Sequence, residues 1–149
     1  MKKIVVLTTA AGLGLTLLFG FGFPTFETAK DRGRLAYAQN CASCHGANLE
    51  GQANWQVPDE TGTYPAPPHS PDGHTWHHDD DLLFTYTKLG GEMAMANLGI
   101  TDFKSGMPGF EGVLTDAQIN DIWAYIKSTW TDRERNAQAE RTAATANES

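Results

Sequence analysis

Cysteine is scarce in this chain, with two residues in 149, and the scarcity excludes several classes of protein at once. Two cysteines cannot build a disulfide-rich miniprotein, nor a structural zinc site from thiolates alone. Positive charge is also in short supply. Once Lys2 and Lys3 are set aside, nine basic residues face eighteen acidic ones from Ile4 onward, a formal charge of −9. Such a surface disfavours nucleic acid and anionic lipid as partners. A length of 149 residues leaves room for one ordinary domain and little for a second.

Charge of either sign is missing between Ile4 and Phe23, a run of 20 residues rich in Leu, Val, Phe and Gly. Behind Lys2 and Lys3 this run reads as an export signal. Its length matches a helix crossing about 30 Å of hydrocarbon and exceeds the apolar core of most signal peptides. A small-residue cleavage site is lacking too, since Lys30 is preceded by Phe26-Glu27-Thr28-Ala29. An uncleaved membrane anchor over residues 1–23 is therefore favoured over a cleaved signal sequence, with residues 24–30 as a linker. The positive-inside tendency then leaves the acidic domain outside the cytoplasm, in the periplasm or an equivalent space.

The two cysteines stand together in "NCASCH", Asn40 to His45, at the end of a helical stretch, "DRGRLAYAQN", from Asp31 to Asn40. A redox dithiol would open a helix after an apolar strand, where the helix N-terminus lowers the thiol pKa. Here the cysteines close one. A zinc half-site would have to recruit histidines from positions 74 to 78. A disulfide across two residues is strained and gives His45 no role. Covalent haem accounts for all three residues: Cys41 and Cys44 supply thioethers to the two vinyl groups, and His45 lies beneath the iron as an axial ligand. The cofactor expected is one haem c.

From this point the chain resembles the class I c-type cytochromes, over roughly residues 30 to 130. The family carries a glycine, an aromatic residue and the first haem cysteine at intervals of four, here Gly33, Tyr37 and Cys41. Its last helix bears an Ala-Tyr-Leu-like signature, here Ala124-Tyr125-Ile126. That segment is helical on its own terms. Thr115 with Gln118 forms a capping-box pattern, and Ile119, Ile122, Trp123 and Ile126 recur at three and four. The resemblance implies a mainly α fold of three to five helices wrapped round one haem in a domain over residues 31–130, preceded by an N-terminal hydrophobic helix and closed by helices crossing at Gly33 and Tyr125. It also implies that a proline carbonyl, from Pro67 or Pro68, meets the non-ligating nitrogen of His45.

A closed iron needs a sixth ligand. "SGMPGF", Ser105 to Phe110, presents Met107 between residues that resist helix and strand, and in the resembling family the distal methionine commonly precedes a proline just before the last helix. Met93 and Met95, in "GGEMAMANLG", precede no proline and stand farther from that helix.

Between haem motif and methionine runs a rigid, proline-rich loop. A helix follows it, with Asp79 to Asp81 in the first turn, Lys88 in the last and Gly90 as the stop. The loop's histidines, His69, His74, His77 and His78, admit two readings. His74 and His77 with His78 or Asp79 could meet a copper or zinc ion. Alternatively these histidines, with Trp76 and Tyr64, contact the haem edge and its propionates. After Trp130 the residues 131–149 are polar with no apolar face, and a helix end fraying into disorder is expected.

Together these features describe an electron carrier rather than an enzyme. Histidine and methionine favour Fe(II), and a closed site changes little between oxidation states. The acidic surface suits redox partners with basic docking patches, at rates that fall with salt. Two alternatives stay open: a copper-handling or small-ligand-sensing haem module, and a haem subunit of a larger oxidoreductase.

Overall fold

The computed structural model describes residues 27–148. The apolar run of residues 4–23, and with it the question of anchor or cleaved signal, lies outside the described residues. Among the described residues no helix is long and apolar enough to cross a membrane.

The first helix, α1, spans Ala29–Asn40. It begins inside the stretch expected to be linker, because Thr28 and Asp31 close a reciprocal capping box that holds two N-terminal donors. A single turn, α2, follows over Ala42–His45. Then come a 3-10 turn at Thr75–His77, α3 at Asp80–Leu89 and α4 at Gly91–Asn97. The helix α5 spans Asp116–Ser128, and α6 covers Asp132–Glu148. Asp79 caps α3 by accepting from Leu82 N, and Gly90 ends it at φ 85°. Thr115 and Gln118 cap α5 as their spacing predicts. No strand forms among the described residues. Isolated bridges pair Tyr64 with Ser105 and Glu111 with Leu114.

The core lies where α1 crosses α5. Tyr37, Ile119, Ile122 and Ile126 are fully buried there, each contributing about 1.5–3 kcal/mol of apolar transfer. Gly33 permits the crossing: a Cβ at that position would stand 1.8 Å from the Asp121 carbonyl oxygen. The glycine thus meets Asp121 and Ile122, one turn before the expected Tyr125. Tyr125 packs instead on Tyr37, ring centroids 5.5 Å apart. Arg32 adds a two-pronged bond to Asp121, at 2.7 and 2.9 Å, across the same crossing.

One element was not anticipated and one differs from expectation. The segment α4 is a helix, although its Gly91, Met93 and Ala94 carry no long apolar period. The polar tail is the ordered helix α6 rather than a fraying end. At its start Thr131 donates from N and Oγ1 to the Glu134 carboxylate, and its body is rich in Ala, Arg and Glu, all good helix formers. It docks through side-chain hydrogen bonds. Gln138 donates to Asp80 at 2.7 Å, and Thr142 Oγ1 accepts from the Asp80 backbone at 3.1 Å.

Candidate haem-binding site

The turn of α2 sets the two thiols and the imidazole on one short stretch. Cys41 caps α1 by donating its N–H to the Tyr37 carbonyl at 2.8 Å, and His45 donates its backbone N–H to the Cys41 carbonyl at 2.9 Å. Both cysteines are free thiols, Cys41 buried and Cys44 exposed. Burial, followed by the neighbouring Cys44, pushes the Cys41 thiol up to about 11. A thiol protonated through the neutral range is no redox nucleophile.

His45 is buried, and its Nδ1 donates to the Pro67 carbonyl at 2.9 Å. A carbonyl can only accept, so Nδ1 carries the ring proton and Nε2 keeps its lone pair for a metal. Of the two prolines anticipated, Pro67 makes this contact. Pro68 serves another purpose, its carbonyl accepting from Thr75 Oγ1 at 3.3 Å. Desolvation lowers the His45 pKa, while the Pro67 bond opposes the shift. The neutral, metal-ready ring is therefore the resting form.

Met107 is partly buried in the loop before α5. Ser105 Oγ accepts from its N–H at 3.1 Å, and its carbonyl accepts from Gly91 N at 3.2 Å. Gly109 lets that loop lie on the end of α3, since a Cβ there would approach the Leu89 carbonyl carbon to 2.6 Å. Met93 sits on α4 and is 56 % exposed, and Met95 lies on the same helix.

The remaining candidates are distributed differently from the expectation. Among the described residues no group of three His, Cys, Asp or Glu side chains is placed to hold a metal ion, so His74, His77 and His78 do not gather into a second metal site. Their rings find aromatic partners instead. His74 stacks on Trp55 at 4.8 Å and meets His78 edge-on at 5.3 Å, while His77 stacks on Trp76 at 3.6 Å. Trp76 donates Nε1 to the Pro71 carbonyl at 3.1 Å and lies beneath the Arg133 guanidinium of α6. Tyr64, largely exposed, is bridged through its backbone to Ser105, which ties the proline-rich loop to the methionine loop. Trp55 and Thr75 escaped sequence reasoning. A lone tryptophan in a polar loop and a lone threonine carry no periodic signal, and only the folded chain brings them to the histidines.

A covalent haem fits this setting on an observation independent of the motif. From Gly51 to Leu82 only Pro68, His69, Gly73 and Thr75 are buried, and from Met95 to Val113 no residue is, while Val57, Tyr64, Leu98, Ile100 and Val113 stand exposed. Loops of this length that bury so little apolar surface of their own call for a large apolar body to close upon. A porphyrin joined at Cys41 and Cys44 would supply one, and the tautomer-locked imidazole and the loop methionine are the residues that could hold its iron.

A mainly helical domain with one Cys-x-x-Cys-His motif points to a class, the monohaem c-type cytochromes. The family described as Cytochrome c matches residues 30–130, and the chain belongs to it. Its similar relatives include a cytochrome c6 of Picosynechococcus, 33 % identical over 132 residues that cover 85 % of this chain and 92 % of the relative. Another is a cytochrome c6 of Nostoc, 30 % identical over 130 residues with the same coverage of each chain. No solved structure gives a significant match. As a member of this family the protein binds one covalently attached haem c and transfers electrons.

Proposed function

We propose that the protein is a carrier that shuttles single electrons outside the cytoplasm, with Cys41 and Cys44 as the thioether anchors and His45 and Met107 as the axial ligands. The observation that carries this reading is the 2.9 Å bond from His45 Nδ1 to the Pro67 carbonyl, directly after the second cysteine. It fixes which nitrogen is bare and how the ring is turned. Bound haem supplies a one-electron Fe(III)/Fe(II) couple. The chain's own part is to hold the donors still: Pro67 orients His45, while Ser105 and Gly91 pin the backbone of Met107. A donor set that does not move between oxidation states keeps the reorganisation energy small.

The net charge of −7 supports partners with basic docking patches and association that weakens with salt. If residues 4–23 anchor the chain, reach is confined to the membrane surface and the local concentration at a partner rises. A role as haem subunit within a larger oxidoreductase uses the same donors.

Optical spectra test the ligand assignment. The oxidised wild type should show a sulfur-to-iron charge-transfer band at long wavelength, and the reduced form should ignore CO. In Met107→Ala the band disappears and CO binds. CO binding by the wild type would overturn the carrier reading in favour of a ligand sensor.

A further inference from the structure

His69 occupies a position that electron transfer as described so far does not use. It is 8 % exposed, and its ring lies 4.2 Å from that of His45 at an interplanar angle of 21°, a face-to-face stack. Trp123 of α5 closes its flank edge-on at 5.7 Å and 77°, and Tyr37 of α1 does the same at 6.4 Å and 73°.

Hydrogen bonds to three separate segments hold this residue. The backbone N–H of His69 donates to the Leu49 carbonyl at 2.9 Å, and its carbonyl accepts from Trp130 Nε1 at 2.8 Å. The side-chain Nδ1 lies 2.8 Å from Thr75 Oγ1, a hydroxyl itself buried. That hydroxyl donates to the Pro68 carbonyl, so toward His69 it can only accept, and Nδ1 of His69 carries the proton. The ring is thus fixed in position, tautomer and plane. A leucine or phenylalanine would fill the same space without requiring a hydrogen-bond partner. A buried imidazole needs one, and Thr75 has been placed to provide it.

We propose that His69 is a positioning residue for His45: locked by Thr75, it presents a flat face that sets the plane of the axial imidazole and keeps its Nδ1 aimed at Pro67. The effect passes through His45 alone. Two restraints then act on the axial ring, the Pro67 bond along one axis and the His69 stack across the other. The bond to Pro67 raises the basicity of the ligand, and a more basic ligand favours Fe(III). A loosened stack should therefore weaken that bond and raise the reduction potential, while freeing the ring plane. This inference rests on His45 being the axial ligand.

The test uses the haem-loaded full chain. Paramagnetic proton NMR of the Fe(III) protein reads the axial-ligand plane through the spread of the haem methyl shifts, and redox titration reads the potential. His69→Leu, which keeps volume but presents no flat face, should change the methyl-shift pattern and raise the potential. Thr75→Val, which does not carry the stacking ring, should move both in the same direction by less. His69→Phe restores a flat face and should return the pattern toward wild type. Wild-type patterns and potentials in both His69→Leu and Thr75→Val would overturn the proposal, as would His69→Phe departing as far as His69→Leu. Should His69→Leu fail to take up haem, Thr75→Val decides by the same criterion. A wild-type Fe(III) spectrum that is not low-spin would sink the ligand assignment itself, which is a separate outcome.

Discussion

The crossing of α1 with α5 and the side formed by the histidine loop with α6 are held by different forces. At the crossing, four fully buried side chains and a backbone-to-backbone approach at Gly33 do the work. On the loop side the contacts are hydrogen bonds and stacked rings: Gln138 to Asp80, Thr142 to the backbone of Asp80, His74 on Trp55, His77 on Trp76. Close packing leaves no slack, so a single added methyl matters there. Polar contacts half open to water are replaced by water at small cost. The rigid half therefore fixes where Cys41 begins, and the softer half fixes how His45 is turned.

The largest effect should come from Gly33→Ala. Its Cβ would meet a backbone carbonyl rather than a flexible side chain, so the helices must part along their length. A loss of about 3 kcal/mol is expected, at the upper end for overpacking, and chemical denaturation of the haem-loaded protein would measure it. A loss below about 1 kcal/mol, the lower end of that range, would mean the crossing is not close-packed.

The rigid half was legible because its signals are local and periodic. Gly33, Tyr37 and Cys41 share one helix face, Thr115 with Gln118 announces α5, and the isoleucines recur at the helical period. The sequence also placed His45 and Met107 in the correct local settings, a helix end and a glycine-flanked loop. The softer half was read less well. Thr131 and Glu134 carry the same capping pattern as Thr115 and Gln118, yet α6 has no apolar stripe, and its docking through Gln138 and Thr142 leaves no periodic trace. The histidines have the composition of a metal site, but the stack of His74 depends on Trp55, some twenty residues away in sequence. Composition cannot distinguish an imidazole that stacks from one that ligates.

Ending the chain after Thr131 tests the second half directly. Trp130 and its bond to the His69 carbonyl remain, while the contacts of Gln138, Thr142 and Thr145 with the start of α3 are lost. Each is one partly solvated hydrogen bond, so the expected loss is about 2 kcal/mol in all. Haem content and the methionine band should be retained, because Pro67, Ser105 and Gly91, the partners that hold His45 and Met107, lie outside α6. Loss of haem on truncation would show that the two halves are one cooperative unit and erase the contrast.

The smallest effect concerns pH. Burial, and then neighbouring imidazoles, lower the pKa of His74 and of His78; Asp79 opposes the shift at His78, and Arg141 adds to it. In the unfolded chain both titrate near 6.5. Below that pH the unfolded state binds protons that the folded loop resists, so stability is full above about pH 6.5 and declines as the pH falls through it. The denaturation midpoint should drop between pH 7.5 and pH 5.5, and His74→Asn with His78→Asn should flatten the slope while leaving the α1–α5 crossing unchanged. An identical slope in the double variant would place the acid sensitivity elsewhere in the molecule, and with it the softness attributed to this loop.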